Sequence, residues 1–201
     1  MSDPFRQNDI SPRRQAFDRA FLRAVARAQI GLALHWLFLL NAASALYVGL
    51  AFLAPVLMAL GWEAAGRSLF DAYSVACHQY PQRSFFVVGH QVAFCQRDVA
   101  TFTAIFIAGL VYSRLRREVR PLRWWLYVLL VAPMGIDGLT QLAGWRESTW
   151  ELRTATGALF GLATVWLLYP YIERTMDEML NEAIAALARE GGSGRPQLGG
   201  G

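Results

Sequence analysis

From Ala28 to Trp62 the chain carries no charged side chain. One helix over that stretch would be roughly 52 Å long at about 1.5 Å per residue, longer than the roughly 30 Å hydrocarbon core of a bilayer and too short for two crossings with a turn. The run therefore predicts a single tilted span near residues 36–60. It follows an arginine-rich start, as a secretory signal does, but a signal core has only about 7 to 15 apolar residues before a small-residue cleavage site. A retained span is the better reading. Further apolar runs at Phe94–Ser113, Trp124–Trp145 and Thr154–Tyr171 each approach one bilayer thickness. With 55% hydrophobic and 17% charged residues, the composition departs from that of soluble domains in the same direction. The fold class expected is all-α, a polytopic membrane protein of about four transmembrane helices.

The ends read differently. Residues 1–11 look like a tail, after which Ala16, Phe17, Ala20, Phe21, Ala24 and Val25 recur at helical spacing with arginines opposite. Met176, Met179, Leu180, Ile184 and Leu187 recur likewise among acids, before the terminal GGSGRPQLGGG. Both segments predict amphipathic helices, lying on the membrane surface or packed on a partner. The expected organisation is a cytoplasmic tail and amphipathic helix over 1–28, a four-helix membrane domain over 29–171 with an outward loop at 63–93, and an amphipathic helix and flexible tail over 172–201. Gly157 and Gly161 match the small-residue motif of close helix contact.

All the basic side chains are arginine, and they cluster beside apolar runs, as charges retained on the cytoplasmic face do, so nucleic acid is not an expected partner. Arg6, Arg13, Arg14, Arg19, Arg23 and Arg27 precede the first span, and Arg114, Arg116, Arg117, Arg120 and Arg123 separate the second from the third. Both segments are assigned to the cytoplasm, which puts both termini inside a cell membrane and the connections 63–93 and 146–153 outside. The lipid bilayer is one partner; other membrane proteins or a second copy are further candidates.

Polar chemistry gathers on that outer side. CHQYPQRSFFVVGHQVAFCQRD places Cys77, His78, Gln79, Arg83, His90, Gln91, Cys95, Arg97 and Asp98 in one short stretch. The third span adds Asp137 and Gln141 at i and i+4, on one helix face, and the start of the fourth adds Arg146, Glu147, Ser148, Glu151, Arg153 and Thr156. These pieces predict one outward-facing pocket. A carboxylate within a span costs at least about 2.5 kcal/mol, so Asp137 must face the bundle and find a donor, with Arg153, Arg146 and Gln141 as candidates.

Cys77 and Cys95 admit three readings. A disulfide would close a loop of about 19 residues. Metal ligation by Cys77, His78, Cys95 and Asp98 would suit zinc or iron, although adjacent ligands are sterically awkward. Independent thiols, or a thiol nucleophile, form the third. His78 is also a candidate general base, and His35 in the first span reads as a packing residue.

In the order of its motifs the sequence resembles a family of bacterial and archaeal integral membrane proteins known as domain of unknown function 2085. Cys77-His78-Gln79, Pro81 with Arg83-Ser84-Phe85-Phe86, Gly89 with Gln91, Cys95 with Arg97, Pro133 with Asp137-Gly138 and Thr140-Gln141, Arg146-Glu147-Ser148, and Arg153 with Thr156-Gly157 carry the resemblance, over about residues 45–165. The family pattern C-x-R-C reads CQRD here, so Asp98 stands where a cysteine is usual. That departure weakens a dithiol mechanism and is compatible with a metal site, since aspartate can replace cysteine as a ligand. The resemblance implies topology and a coherent site, without a reaction. The leading expectation is an outward-facing, metal-binding polar pocket in a helical bundle. An accessory subunit of a larger membrane complex and a small transporter or lipid-handling protein are the alternatives.

Overall fold

The computed structural model describes residues 11–192 except Arg117. The expected tails fall largely outside that range, as do Arg6 and Arg117 of the orientation argument. The all-α expectation holds, with helices α1 (Pro12–Ala59), α2 (Glu63–Ala72), α3 (Gln96–Leu115), α4 (Trp124–Leu142) and α5 (Trp150–Gly192). Four of them, α1, α3, α4 and α5, are long and apolar enough to cross a membrane.

Ser11 opens α1 by accepting the Arg14 N–H at 3.4 Å on its hydroxyl, and Pro12 fills the first helical position, where a missing N–H costs nothing. The expected N-terminal amphipathic helix and first span are one unbroken helix, because no proline interrupts the chain between Pro12 and Pro55. The stop comes at Gly61, whose φ of +86° is easily reached only without a Cβ. Gly61 N–H bonds to Met58 O at 3.1 Å and Trp62 N–H to Leu57 O at 2.9 Å, which satisfies the terminal carbonyls. The C-terminal amphipathic segment is likewise continuous with the last span, in α5.

The chain forms two compact units, one of Leu37–Ile172 and one of the described parts of Met1–Trp36 and Glu173–Gly201. In the smaller unit Ala26, Ala33, Trp36 and Ala183 are buried, and Phe17, Phe21 and Leu22 are exposed.

The larger unit holds the polar residues. The segment read as an outward loop contains α2, two short 3-10 turns and a β-hairpin, β1 (Ser84–Val87) with β2 (His90–Cys95), paired antiparallel with Phe86 opposite Gln91 and Val87 opposite His90. Val88 and Gly89 make the turn with φ of +51° and +81°, the signs a two-residue hairpin turn needs. Phe94 of β2 is 1% exposed and packs edge-on to Tyr47 of α1 and Tyr73, with centroids 4.8 and 4.6 Å apart. Tyr73 donates its hydroxyl to Tyr47 O at 2.6 Å. The hairpin is thereby fixed against α1 and leads directly into α3.

On the other side of α3, Gly157 and Gly161 of α5 meet its backbone. A methyl group at either position would lie 2.5 Å from Arg97 O or 2.4 Å from Thr101 O. Thr101 donates to Gly157 O at 3.1 Å across the contact.

Candidate functional site

Three glutamines hold the polar segment in place. Gln79 has the unusual φ of +53°, and its side-chain amide donates to Phe70 O at 2.6 Å and Ala93 O at 3.0 Å. Gln91 donates to Gln79 O at 2.7 Å and to Ser84 Oγ at 3.0 Å. Gln96, buried at the first position of α3, donates to Ser84 O at 3.3 Å and accepts from Arg153 Nη1 at 3.2 Å. Arg153 also donates to Gln82 O at 3.3 Å, so the first turn of α5, capped by Thr149, is tied to the segment before β1. These bonds answer the demand of buried peptide groups for partners.

That framework sets Cys77 beside the start of α3. Cys95 N–H points to Cys77 Sγ at 3.3 Å, Cys95 Sγ lies 3.2 Å from Asp98 Oδ2, and the ligand atoms of Cys77, Cys95 and Asp98 are all within 4.8 Å of one another. Both cysteines are free thiols. A hydrogen bond from the Cys95 thiol, joined by the backbone N–H groups of Gln79 and Cys95 and opposed by burial, lowers the Cys77 pKa to about 7. The same bond and burial push the Cys95 thiol up, so the pair holds one proton readily and yields the other easily.

A second cluster centres on Asp137 of α4, which is 1% exposed. Glycine at 144, with φ of +71°, reverses the chain after α4 through bonds from Gly144 N–H to Gln141 O and Trp145 N–H to Thr140 O, both 3.1 Å. The reversal ends the helix at Leu142, short of the expected Trp145, and carries Arg146 and Ser148 back to Asp137, to which they donate at 2.7 and 2.9 Å. Arg97 of α3 donates to the same carboxylate. Of the donors anticipated from sequence, Arg146 is among these bonds, Arg153 donates to Gln82 O and Gln96 instead, and the Gln141 side-chain nitrogen has no acceptor.

Between the clusters is a cavity of about 270 Å³ whose wall includes the two cysteines, Asp98, His78, Arg83, Arg97, Gln141 and Arg153. Asp137 lies behind that wall, joined to it through Arg97. His78 is exposed and stacks on Tyr80, with centroids 5.8 Å apart, and the Arg83 guanidinium sits 5.3 Å over the same ring. Thr156 turns its hydroxyl back to Leu152 O at 2.7 Å, and Glu147 is exposed in the α4–α5 connection. Sequence reasoning overlooked Gln96, and placed Ser148 in the polar constellation without naming it as a donor to Asp137. The position of Gln96 beside Cys95 at the start of a helix was the available signal.

The family model described as "Predicted membrane protein (DUF2085)" matches residues 77–167, which contain both clusters. The chain is 39% identical over 127 residues to an uncharacterized protein of Methanocaldococcus jannaschii, a match covering 59% of this chain and 81% of that one. It is 36% identical over 86 residues to an uncharacterized protein of Methanothermobacter thermautotrophicus, covering 43% and 78%. No solved structure matches. With four apolar helices of membrane-crossing length and this agreement in sequence, the chain belongs to the DUF2085 family of predicted membrane proteins.

Proposed function

We propose that the chain is a multi-pass membrane protein, with both termini cytoplasmic and the polar cavity opening outward, that holds one thiophilic divalent ion, zinc or iron, on Cys77, Cys95 and Asp98. The observation that carries this reading is the mutual approach of three ligand atoms to within 4.8 Å on a cavity wall. Around a tetrahedral ion, with about 2.3 Å to sulfur and 2.0–2.2 Å to oxygen, neighbouring ligands lie about 3.5 to 3.8 Å apart. The 3.2 Å between Cys95 Sγ and Asp98 Oδ2 needs only a small expansion. Two thiolates and one carboxylate suit a borderline-soft cation, and the fourth position is left for water or substrate.

Such an ion would supply Lewis acidity or a bound hydroxide, the requirements of a metal-assisted hydrolytic step; iron would add a redox option. The backbone N–H groups aimed at Cys77 would fix its sulfur, and Gln79 and Gln91 would hold the loop around it. His78 would have to leave its stack on Tyr80 to become a ligand. The orientation rests on the arginines before the first span and between the second and third.

Elemental analysis of protein purified in detergent after growth with zinc and iron tests the site. One equivalent of metal is expected, falling to background in Cys95→Ser. Wild-type protein without stoichiometric metal overturns the reading, and counting thiols under non-reducing conditions shows whether a Cys77–Cys95 disulfide forms in its place.

A further inference from the structure

The remainder of the cavity wall carries several hydrogen-bond donors, Arg83, Arg97, Gln141 and Arg153. Arg97 and Arg146 share Asp137, whereas Arg83 and Arg153 have no carboxylate within ion-pairing distance among the described residues. Arg153 is only 5% exposed, and its Nε is a buried N–H without an acceptor. The side-chain nitrogen of Gln141, on the same wall, is in the same condition. A guanidinium removed from water without a counter-charge is expensive, more so at membrane depth, and is retained where an anion meets it.

Four arginines therefore face two carboxylates, Asp98 and Asp137, leaving two positive charges. A divalent ion on two thiolates does not alter that surplus, because its charge replaces the two thiol protons. We infer that this surplus is a binding site for a phosphate-type oxyanion, with Arg83, Arg153 and Gln141 as its donors. Planar guanidinium groups match the edges of a tetrahedral oxyanion through paired N–H bonds, and a dianion balances the charge. The inference rests on the reading of this cavity as the functional site and names the class of group that a bound ion would encounter there.

The full chain in detergent is titrated with inorganic phosphate by calorimetry, and in parallel with mixed micelles containing phosphatidic acid or phosphatidylcholine. Saturable binding of inorganic phosphate identifies a soluble phosphorylated ligand. Saturable binding of phosphatidic acid alone, with phosphatidylcholine inert, identifies a lipid headgroup. In either case Arg83→Gln and Arg153→Lys weaken binding about tenfold or more. Arg83 is half-buried and rests on the Tyr80 ring, so its variant keeps the test valid should Arg153→Lys misfold. The inference is overturned when neither probe saturates, or when both variants bind as the wild type does. Cys95→Ser separates the two readings: anion binding that persists without metal leaves this site standing, and metal binding without any anion removes it alone.

Discussion

Arg146 Nη2 lies 2.7 Å from Asp137 Oδ1, nine residues away along the chain and across the reversal at Gly144. The contact closes the C-terminal end of α4 upon itself, while Arg97 ties the same carboxylate to α3.

Asp137→Asn should destabilise the protein by about 3 kcal/mol, because the largely buried Arg97 guanidinium loses its counter-charge, while the more exposed Arg146 falls back on water. Ser148→Ala, which removes one neutral donor, should cost about 1 kcal/mol. Denaturant or thermal unfolding in detergent measures both. Equal effects would show that charge is not what matters at Asp137.

In metal-stripped protein, alkylation of Cys77 should rise with pH through a midpoint at about 7. The thiolate is the reacting form, so the rate falls as the pH drops below that value. Cys95→Ala removes the thiol that donates to Cys77, and the midpoint should move upward, toward an ordinary thiol. An unchanged midpoint would mean that the backbone N–H groups alone set it.

Gly161→Ala should separate α3 from α5 and destabilise the bundle by about 1 to 3 kcal/mol, since the new methyl group would meet Thr101 O at 2.4 Å. Gly135→Ala in α4 meets nothing within 4 Å and should be neutral or slightly stabilising. Unfolding midpoints of the two variants, compared with wild type, distinguish contact from general helix propensity.

Val88→Asn should stabilise the hairpin by about 1 kcal/mol. A β-branched residue at φ +51° is strained, whereas Asn-Gly is the favoured pair for such a turn. The side chain is exposed, so no packing is lost. Slower proteolysis between β1 and β2, together with a higher unfolding midpoint, would bear this out.

Hydropathy made the four spans legible because each is a long apolar run, and the start of the second run at Phe94 put Cys95 and Asp98 at one helix end. The hairpin was not legible. Its turn carries Val88 where the usual signal is Asn or Asp, so the segment passed for loop. The continuity of α1 was hidden by a change of pattern, from amphipathic to wholly apolar, that shifts the environment of a helix without ending it. The choice of Arg97 as partner to Asp137 depends on how α3 and α4 meet, which no spacing along one strand of sequence encodes. That Asp137 must be buried and partnered follows from cost alone, and the structure leaves it 1% exposed with Arg97 and Arg146 on its carboxylate.

Arg97 belongs at once to the cavity wall and to the bond with Asp137. A molecule that engages it and the carboxylate behind it therefore draw on a single cation, and linkage makes their influence mutual: whatever occupancy does to the α3–α4 tie, that tie does in equal measure to affinity. Filling of the proposed site would thus be felt at the contact between α3 and α4 through this one guanidinium.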